Sequence, residues 1–231
     1  MRICIYQPGY FQPLHYFARI WSSDRFLSLN SAQINRKAGQ TRARIKGKAG
    51  TTRLIVPVKG GNRVALNEAM PAYGERWARK HAQSISHTYQ KAPMFKKVFP
   101  MLIDMYKSAE NEKKTFSDMC ETQIWRILKY LGWQGSMVSI DRKEEENASD
   151  WMLKLTKEFE GTEYVCGGVA YDSYLDLDSF LKEGVNVVVQ DWICKEYAQQ
   201  GNAPFIPNLS IIDGLMNCSK EELVDVLEGG D

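Results

Sequence analysis

A short run of β-formers, Arg2-Ile3-Cys4-Ile5-Tyr6, is cut off at once by the turn signal Gln7-Pro8-Gly9. Pro13 then stands where it would open a helix running to about Trp21. A strand, a glycine turn and a helix start in that order constrain the chain to an α/β unit. They also aim helix N-terminal N–H groups at the space above the strand end, a geometry that suits phosphate. His15, on the first helical turn, would donate to the same anion. The rest of the chain keeps alternating. Strands are predicted over residues 25–29, 43–46 and 53–58, the last two joined by a turn at 47–50, with Pro57 marking an edge or strand end. Residues 59–63 read as a flexible basic turn. Residues 74–107 are helical in pattern, with Trp77, Lys80, His81, Ser84, Ile85 and Thr88 on one face and a break at Ala92-Pro93. A further helix over 114–131 is stopped by Gly132. Then come a strand at 138–140, a helix at 151–159, a strand at 164–166, a helix at 171–182 and a strand at 185–190. The Val187-Val188-Val189 core of that strand predicts burial on both faces. Ser210 caps a helix over 211–216, and a capping box starts the last one, over 221–227. The expected fold is a single α/β domain over residues 1–231, with a Rossmann-like mixed sheet and an inserted helical segment in the middle third, at about 74–135.

Residues 33–46 hold five cations, three amide side chains and no acid. Arg42 and Arg44 alternate, so an extended backbone puts both guanidinium groups on one face. Arg grips phosphate through two parallel hydrogen bonds, and the expected site here is an anion site, most simply phosphate. The charge of the whole chain is polarised in the same sense. Residues 1–107 carry 19 Lys+Arg against 4 Asp+Glu, a balance of +15, and the remainder carries 11 against 24, a balance of −13. Such a field draws in an anionic substrate or polymer, unless the two parts neutralise each other across an internal interface. The five cysteines (Cys4, Cys120, Cys166, Cys194, Cys218) are scattered and without metal-ligand spacing, which reads as reduced thiols in a cytoplasmic protein. No apolar run is long enough for a membrane span or a signal peptide.

The stretch from Gly9 through Phe11 and Pro13 to His15 resembles the start of the nucleotidylyltransferase signature, although Ala18 stands where that motif has a second His. Over nearly its full length the chain resembles the WbqC-like protein family of small bacterial and viral proteins. The resemblance is carried by an ordered set: Gln7-Pro8-Gly9-Tyr10-Phe11; Gln33, Arg36-Lys37, Gln40, Arg42 and Arg44-Ile45-Lys46; Leu54-Ile55-Val56-Pro57-Val58; Trp77 with Lys80-His81; Tyr89-Gln90-Lys91-Ala92-Pro93; Tyr164 with Gly167-Gly168; and Leu209-Ser210-Ile211-Ile212-Asp213. Asn30-Ser31 replaces the acidic residues the family commonly has before Gln33, and Leu14-His15 replaces an aromatic and a glycine.

The resemblance implies transfer of an amino acid, such as glycine, in polysaccharide biosynthesis. The chain also resembles amino acid:DNA transferases of viral thymine hypermodification, which would act in a host cytoplasm. There the amine displaces pyrophosphate from a hydroxymethyl pyrimidine in DNA. On this view Arg36, Lys37, Arg42 and Arg44, with the helix start near Gly9–Pro13, hold the diphosphate and neutralise its growing charge. Gln33, Gln40, Lys46 and Lys80 complete the candidate phosphate- or DNA-binding set. His81 or His15 takes the proton of the amine, with His81 ranked first for its place in the Trp77/Lys80/His81 set and His15 suited to steadying the leaving diphosphate. Asp213, or Gln7 through its amide, orients the amino acid. No metal-ligand cluster is legible, though magnesium would enter with a diphosphate. The expected partners are DNA bearing a modified pyrimidine or a nucleotide-linked sugar, together with a free amino acid and no membrane. A non-catalytic nucleic-acid-binding module is the third expectation, though no familiar motif of that class is present.

Overall fold

The computed structural model describes residues 1–35, 39–47, 50–59, 64–141, 147–201 and 204–230. β1 (Arg2–Tyr6) lies at the centre of a parallel sheet, paired on one side with β2 (Arg25–Leu29) and on the other with β8 (Glu163–Cys166). Beyond β2 lies β7 (Ser136–Ile140), and beyond β8 lies β9 (Asn186–Val189), so the five strands run β7-β2-β1-β8-β9. Counting only these strands in chain order, the arrangement is 3-2-1-4-5, the doubly wound Rossmann-like order. The strand–turn–helix reading of the N-terminus holds, with α1 spanning Leu14–Trp21 and Pro13 in the N-cap position.

Period-two alternation divides the sheet between two cores. Cys4 and Phe26 face one core, with Leu14, Phe17 and Ile20 of α1 and Ile124, Ile127 and Leu128 of α4 (Phe116–Leu131). Ile3, Ile5, Leu27 and Tyr164 face the other, with Trp151, Met152 and Leu155 of α5 (Ala148–Glu158). Parallel strands require crossovers, and here α4 carries the chain from β2 to β7 on one face while α5 carries it from β7 to β8 on the other. Gly132 closes α4 in the left-handed region, at φ 93°, where a side chain would be strained.

Everything between β2 and α4 is inserted at the carboxyl end of β2. β3 (Arg42–Gly47) and β4 (Gly50–Ile55) form an antiparallel hairpin, and β5 (Val58–Lys59) pairs with β6 (Met70–Pro71). α2 (Trp77–Tyr89) and α3 (Phe95–Asn111) follow, separated at Ala92-Pro93 as the sequence indicates. α2 buries Trp77, His81, Ile85 and Tyr89, a strict i,i+4 stripe, and leaves Lys80 on the exposed side. Three further expectations change. The strand expected over 53–58 ends at Ile55 and Val58 belongs to β5, because Pro57 has no N–H to give a ladder. The helix expected over 171–182 is two, α6 (Gly168–Ser173) and α7 (Leu177–Lys182), because Asp176 caps a new start by accepting from Ser179 N–H at 3.3 Å. β9 is an edge strand with only half-buried valines, because no strand is paired on its outer side among the described residues. α8 (Ile211–Asn217), capped by Ser210, and α9 (Lys220–Glu228), with its Ser219/Glu222 capping box, return to pack on α1.

Phe17 is fully buried between α1 and the sheet. Phe17→Ala should therefore destabilise the fold by about 3–5 kcal/mol, the usual cost of an emptied aromatic site. Urea unfolding should show a lowered midpoint at unchanged slope.

Candidate functional site

In an open parallel sheet the ligand crevice lies outside the carboxyl ends of the strands, where the strand order reverses. Here that point falls between β1 and β8, beside Tyr6-Gln7 and Cys166-Gly167. A cavity of about 390 Å³ opens next to it, lined by Tyr6, Gln12, Pro13 and His15 from the β1–α1 connection, Gly39, Arg42, Ala43, Arg44 and Arg53 from the hairpin, and Asn208 and Ser210 from the segment before α8. Three arginines line it, and among the described residues no carboxylate does. The wider sequence agrees, since residues 25–67 contain ten Lys+Arg and no Asp or Glu.

The hairpin brings the arginines together by register. Arg44 stands directly opposite Arg53 across the β3–β4 ladder, and Arg42 is two residues along on the same face. Like charges directly opposite cost roughly 0.2–1 kcal/mol, so the pairing favours a bound anion between them. The expectation that Arg42 and Arg44 share a face holds. Arg53 was legible only as part of a strand.

The α1 end of the cavity differs from the sequence expectation. The N–H of Leu14 donates to Leu209 O at 3.0 Å and the N–H of His15 to Asn208 Oδ1 at 3.0 Å. These first helical donors are already engaged within the fold, so side chains must hold the anion. His15 Nδ1 lies 2.9 Å from Asn208 Nδ2 and 3.1 Å from Oδ1. The amide can pair with Nδ1 in either sense: Nδ2 donates to a bare Nδ1, or Oδ1, whose second lone pair remains, accepts from Nδ1–H. Burial lowers the His15 pKa below its ordinary value, the Asn208 bond opposes that, and Arg19 lowers it further. His15 is thus a neutral imidazole at neutral pH, with one ring N–H to donate. Two of the four non-glycine residues with positive φ among the described residues lie here, Phe11 at 35° and Asn208 at 54°. Ser210 Oγ donates to Phe11 O at 2.7 Å and ties the two segments together.

Gln7 and Gln40 form a clamp beside the cavity. Gln40 Nε2 donates to Gln7 Oε1, Gln40 Oε1 accepts from Asn35 N–H at 2.7 Å, and Gln40 O accepts from Tyr10 N–H at 2.8 Å. The pair therefore fixes the start of the hairpin against the turn after β1. Gln33 is exposed and bridges to Ala65. Arg36 and Lys37 lie outside the described residues.

Lys46 shares the Arg42/Arg44 face by alternation but is sealed inside, only 1% exposed. Its Nζ donates to Pro204 O at 2.6 Å and to Gln199 Oε1 at 2.9 Å. Its backbone N–H donates to Tyr89 Oη at 3.2 Å, and Tyr89 in turn donates to Asp213 Oδ1 at 2.6 Å. Tyr197 donates to Asp213 Oδ2 at 2.7 Å. Burial pushes the Asp213 pKa up, and the two tyrosine bonds and the Lys46 charge pull it back. Asp213 is completely enclosed and does not line the cavity.

His81 does not line the cavity either. It is buried beside Trp77, with Nδ1 2.9 Å from the hydroxyl of Tyr10, which is also bonded to Tyr106. Burial pushes its pKa down to about 4, against a weaker pull from a hydrogen bond to the Ile55 backbone. The folded state then binds fewer protons than the unfolded chain below pH about 6.5, so His81 makes stability fall as pH drops from there towards 4. The loss is about 1.4 kcal/mol per pH unit at its steepest, on the order of 3 kcal/mol over the window. His81→Gln, which keeps an acceptor for Tyr10, should flatten this part of the stability–pH curve. Equal slopes for the two proteins would show that His81 titrates normally.

Among the described residues no group of three or more His, Cys, Asp or Glu is placed to hold a metal, and no helix is long and apolar enough to cross a membrane. Neither a curated protein nor a solved structure matches the chain. The family comparison does: residues 7–225, from the glutamine clamp through the arginine hairpin to α9, match one description, and the chain belongs to the WbqC-like protein family.

Proposed function

We propose that this protein is a transferase that joins an amino acid such as glycine to a pyrophosphate-activated hydroxymethyl pyrimidine in DNA. Membership of the WbqC-like family is compatible with transferase chemistry. The observation that carries the reading is the acid-free cavity in which Arg42, Arg44 and Arg53 meet His15 beside the β1–β8 crevice. The amine forms the new C–N bond as the C–O bond to pyrophosphate breaks. The electron pair of the broken bond leaves on pyrophosphate, which also takes the amine's proton. The arginines neutralise that developing charge, and donors fixed in advance do so without reorganisation cost. In the tautomer where Asn208 Nδ2 donates to Nδ1, His15 keeps its proton on Nε2 and steadies a phosphate oxygen. His81, with Tyr10 and Ile55 holding its ring, braces α2 against the hairpin, and Asp213 braces α8 against β3. Any magnesium enters on the diphosphate.

DNA as the acceptor is supported by exposed cations beyond the cavity, Lys59 on β5 and Arg76, Arg79 and Lys80 at α2, more than a small anion requires. A second reading, transfer to a nucleotide-linked sugar, is favoured by the cavity itself, whose volume of about 390 Å³ at a strand-order reversal suits one small ligand.

Two measurements test these readings. Arg44→Ala should weaken pyrophosphate binding by about 1–3 kcal/mol, the range for charge-assisted hydrogen bonds, at unchanged thermal stability. A variant that unfolds, or one that binds pyrophosphate as well as the parent, would remove the anion site. In a gel-shift titration, a DNA transferase should lose duplex affinity steeply as salt rises. A nucleotide-sugar enzyme should scarcely shift DNA at any salt.

A further inference from the structure

Tyr6 ends β1 and is 42% exposed, a large aromatic side chain left open at the centre of the sheet's carboxyl edge. It lines the arginine cavity. Its ring is held from other directions. Tyr16 of α1 packs edge-on with centroids 5.3 Å apart at 64°. The Arg19 guanidinium lies 5.1 Å from the ring centroid. Arg19 is itself pinned, since its Nε donates to Gln190 Oε1 at 3.0 Å, and Gln190 Nε2 donates to His15 O at 2.9 Å. Gly167 makes room for it, because a Cβ there would fall 2.6 Å from Arg19 Nη2. With Tyr16 and Arg19 both against it, Tyr6 still keeps enough exposed surface to line the cavity.

We infer that Tyr6 is a stacking platform for the aromatic base of the substrate, which makes the cavity a nucleotide site and not a site for phosphate alone. The inference rests on the anion site proposed above. Stacking is sequence-tolerant because every base presents a π-face, and an aromatic ring beside a cationic groove is the common physical solution for holding bases next to their phosphates. A cation over an aromatic ring adds to the rigidity of the platform. The exposure of Tyr6 also separates this ligand class from others: an alkyl phosphate or inorganic pyrophosphate gives the ring nothing to stack on.

The test compares thymidine diphosphate with inorganic pyrophosphate by calorimetry on the full chain, in the parent, Tyr6→Ala, Tyr6→Leu and Arg44→Ala. The parent should bind thymidine diphosphate more tightly than pyrophosphate. Tyr6→Ala should lose about 10-fold or more for thymidine diphosphate and nothing for pyrophosphate. Tyr6→Leu keeps apolar bulk against Tyr16 and should lose nearly as much, which guards against a folding defect in the alanine variant. Arg44→Ala should weaken both ligands. If the parent binds the two ligands equally, or if the Tyr6 variants weaken both alike, stacking is overturned while the anion site stands. If the parent binds neither ligand, the anion site falls and the platform falls with it.

Discussion

Parallel pairing of β1 on both of its edges is the constraint on which the rest of the structure depends. Register with β2 and β8 sets Tyr6 beside Ser28, and Cys4 between Phe26 and Val165. Because the connections from these neighbours leave on opposite faces, a crevice opens at the carboxyl end of the β1–β8 seam. The chain must therefore bring something else to that end. It brings the turn after β1, the hairpin inserted after β2, and the segment before α8, three pieces far apart in sequence. Their meeting point is fixed by backbone hydrogen bonds: Tyr10 N–H to Gln40 O, Leu14 N–H to Leu209 O and Ser210 N–H to Arg44 O.

A two-stranded hairpin alone is only marginally stable, yet this one must hold three arginines on one face. Its support comes from beneath and beside. Ala43, Ile45, Leu54 and Val56 sink into the larger core, and Lys46 reaches into a closed polar network with Gln199, Tyr89, Tyr197 and Asp213. A buried ammonium is tolerable only when its donors are satisfied and an opposite charge is near. Pro204 O and Gln199 Oε1 supply the first condition, and Asp213 the second. Removing one member would leave another buried group unsatisfied, which makes this network a unit that locks β3 to α2 and α8. The cation deepest in the basic stretch thus positions the two that face the cavity.

Much of the fold was legible because its elements are locally consistent. β1 and β2 have the expected limits, Gly132 stops α4, and Ser210 and Ser219 cap their helices. The failures are equally physical. The valine run at 187–189 says β-strand but cannot say edge, since edge position depends on strand order. Asp176 looked like one more residue of a helix, and its capping role emerges only when Ser179 N–H turns to it. At the site, period two was enough to place Arg42 and Arg44 together. It could not give their partners Arg53, Tyr6, Asn208 and Gln12, because pairing across a ladder and contact across 30 to 166 residues leave no local mark. The helical face of His81 was readable, but the Tyr10 hydroxyl that receives its Nδ1 is 71 residues away. Position in a family-like set therefore ranked His81 above His15, while burial and hydrogen bonding set them in different environments.

The difference between the two histidines follows from what each ring nitrogen touches. His81 has its Nδ1 on Tyr10 and a second bond to the Ile55 backbone, so any proton it exchanged would break a contact between elements. Among the described residues the His15 ring is engaged at Nδ1 by Asn208, and it stands in a cavity where Arg42, Arg44 and Arg53 already supply three positive charges. Protonating His15 would add a fourth to an acid-free lining, which both burial and the Arg19 charge resist. A neutral imidazole that receives Asn208 Nδ2 at Nδ1 would give the site a hydrogen bond through Nε2 without further repulsion. The Arg44–Arg53 pair carries a like-charge cost that an anion between the two would offset. That cost is larger in a half-enclosed cavity than in water, where screening would have removed it. An anion that gains charge as its bond breaks gains most from such a lining. In the reaction proposed above, such a lining would stabilise pyrophosphate as it departs more than the ester it leaves, the differential binding that catalysis requires.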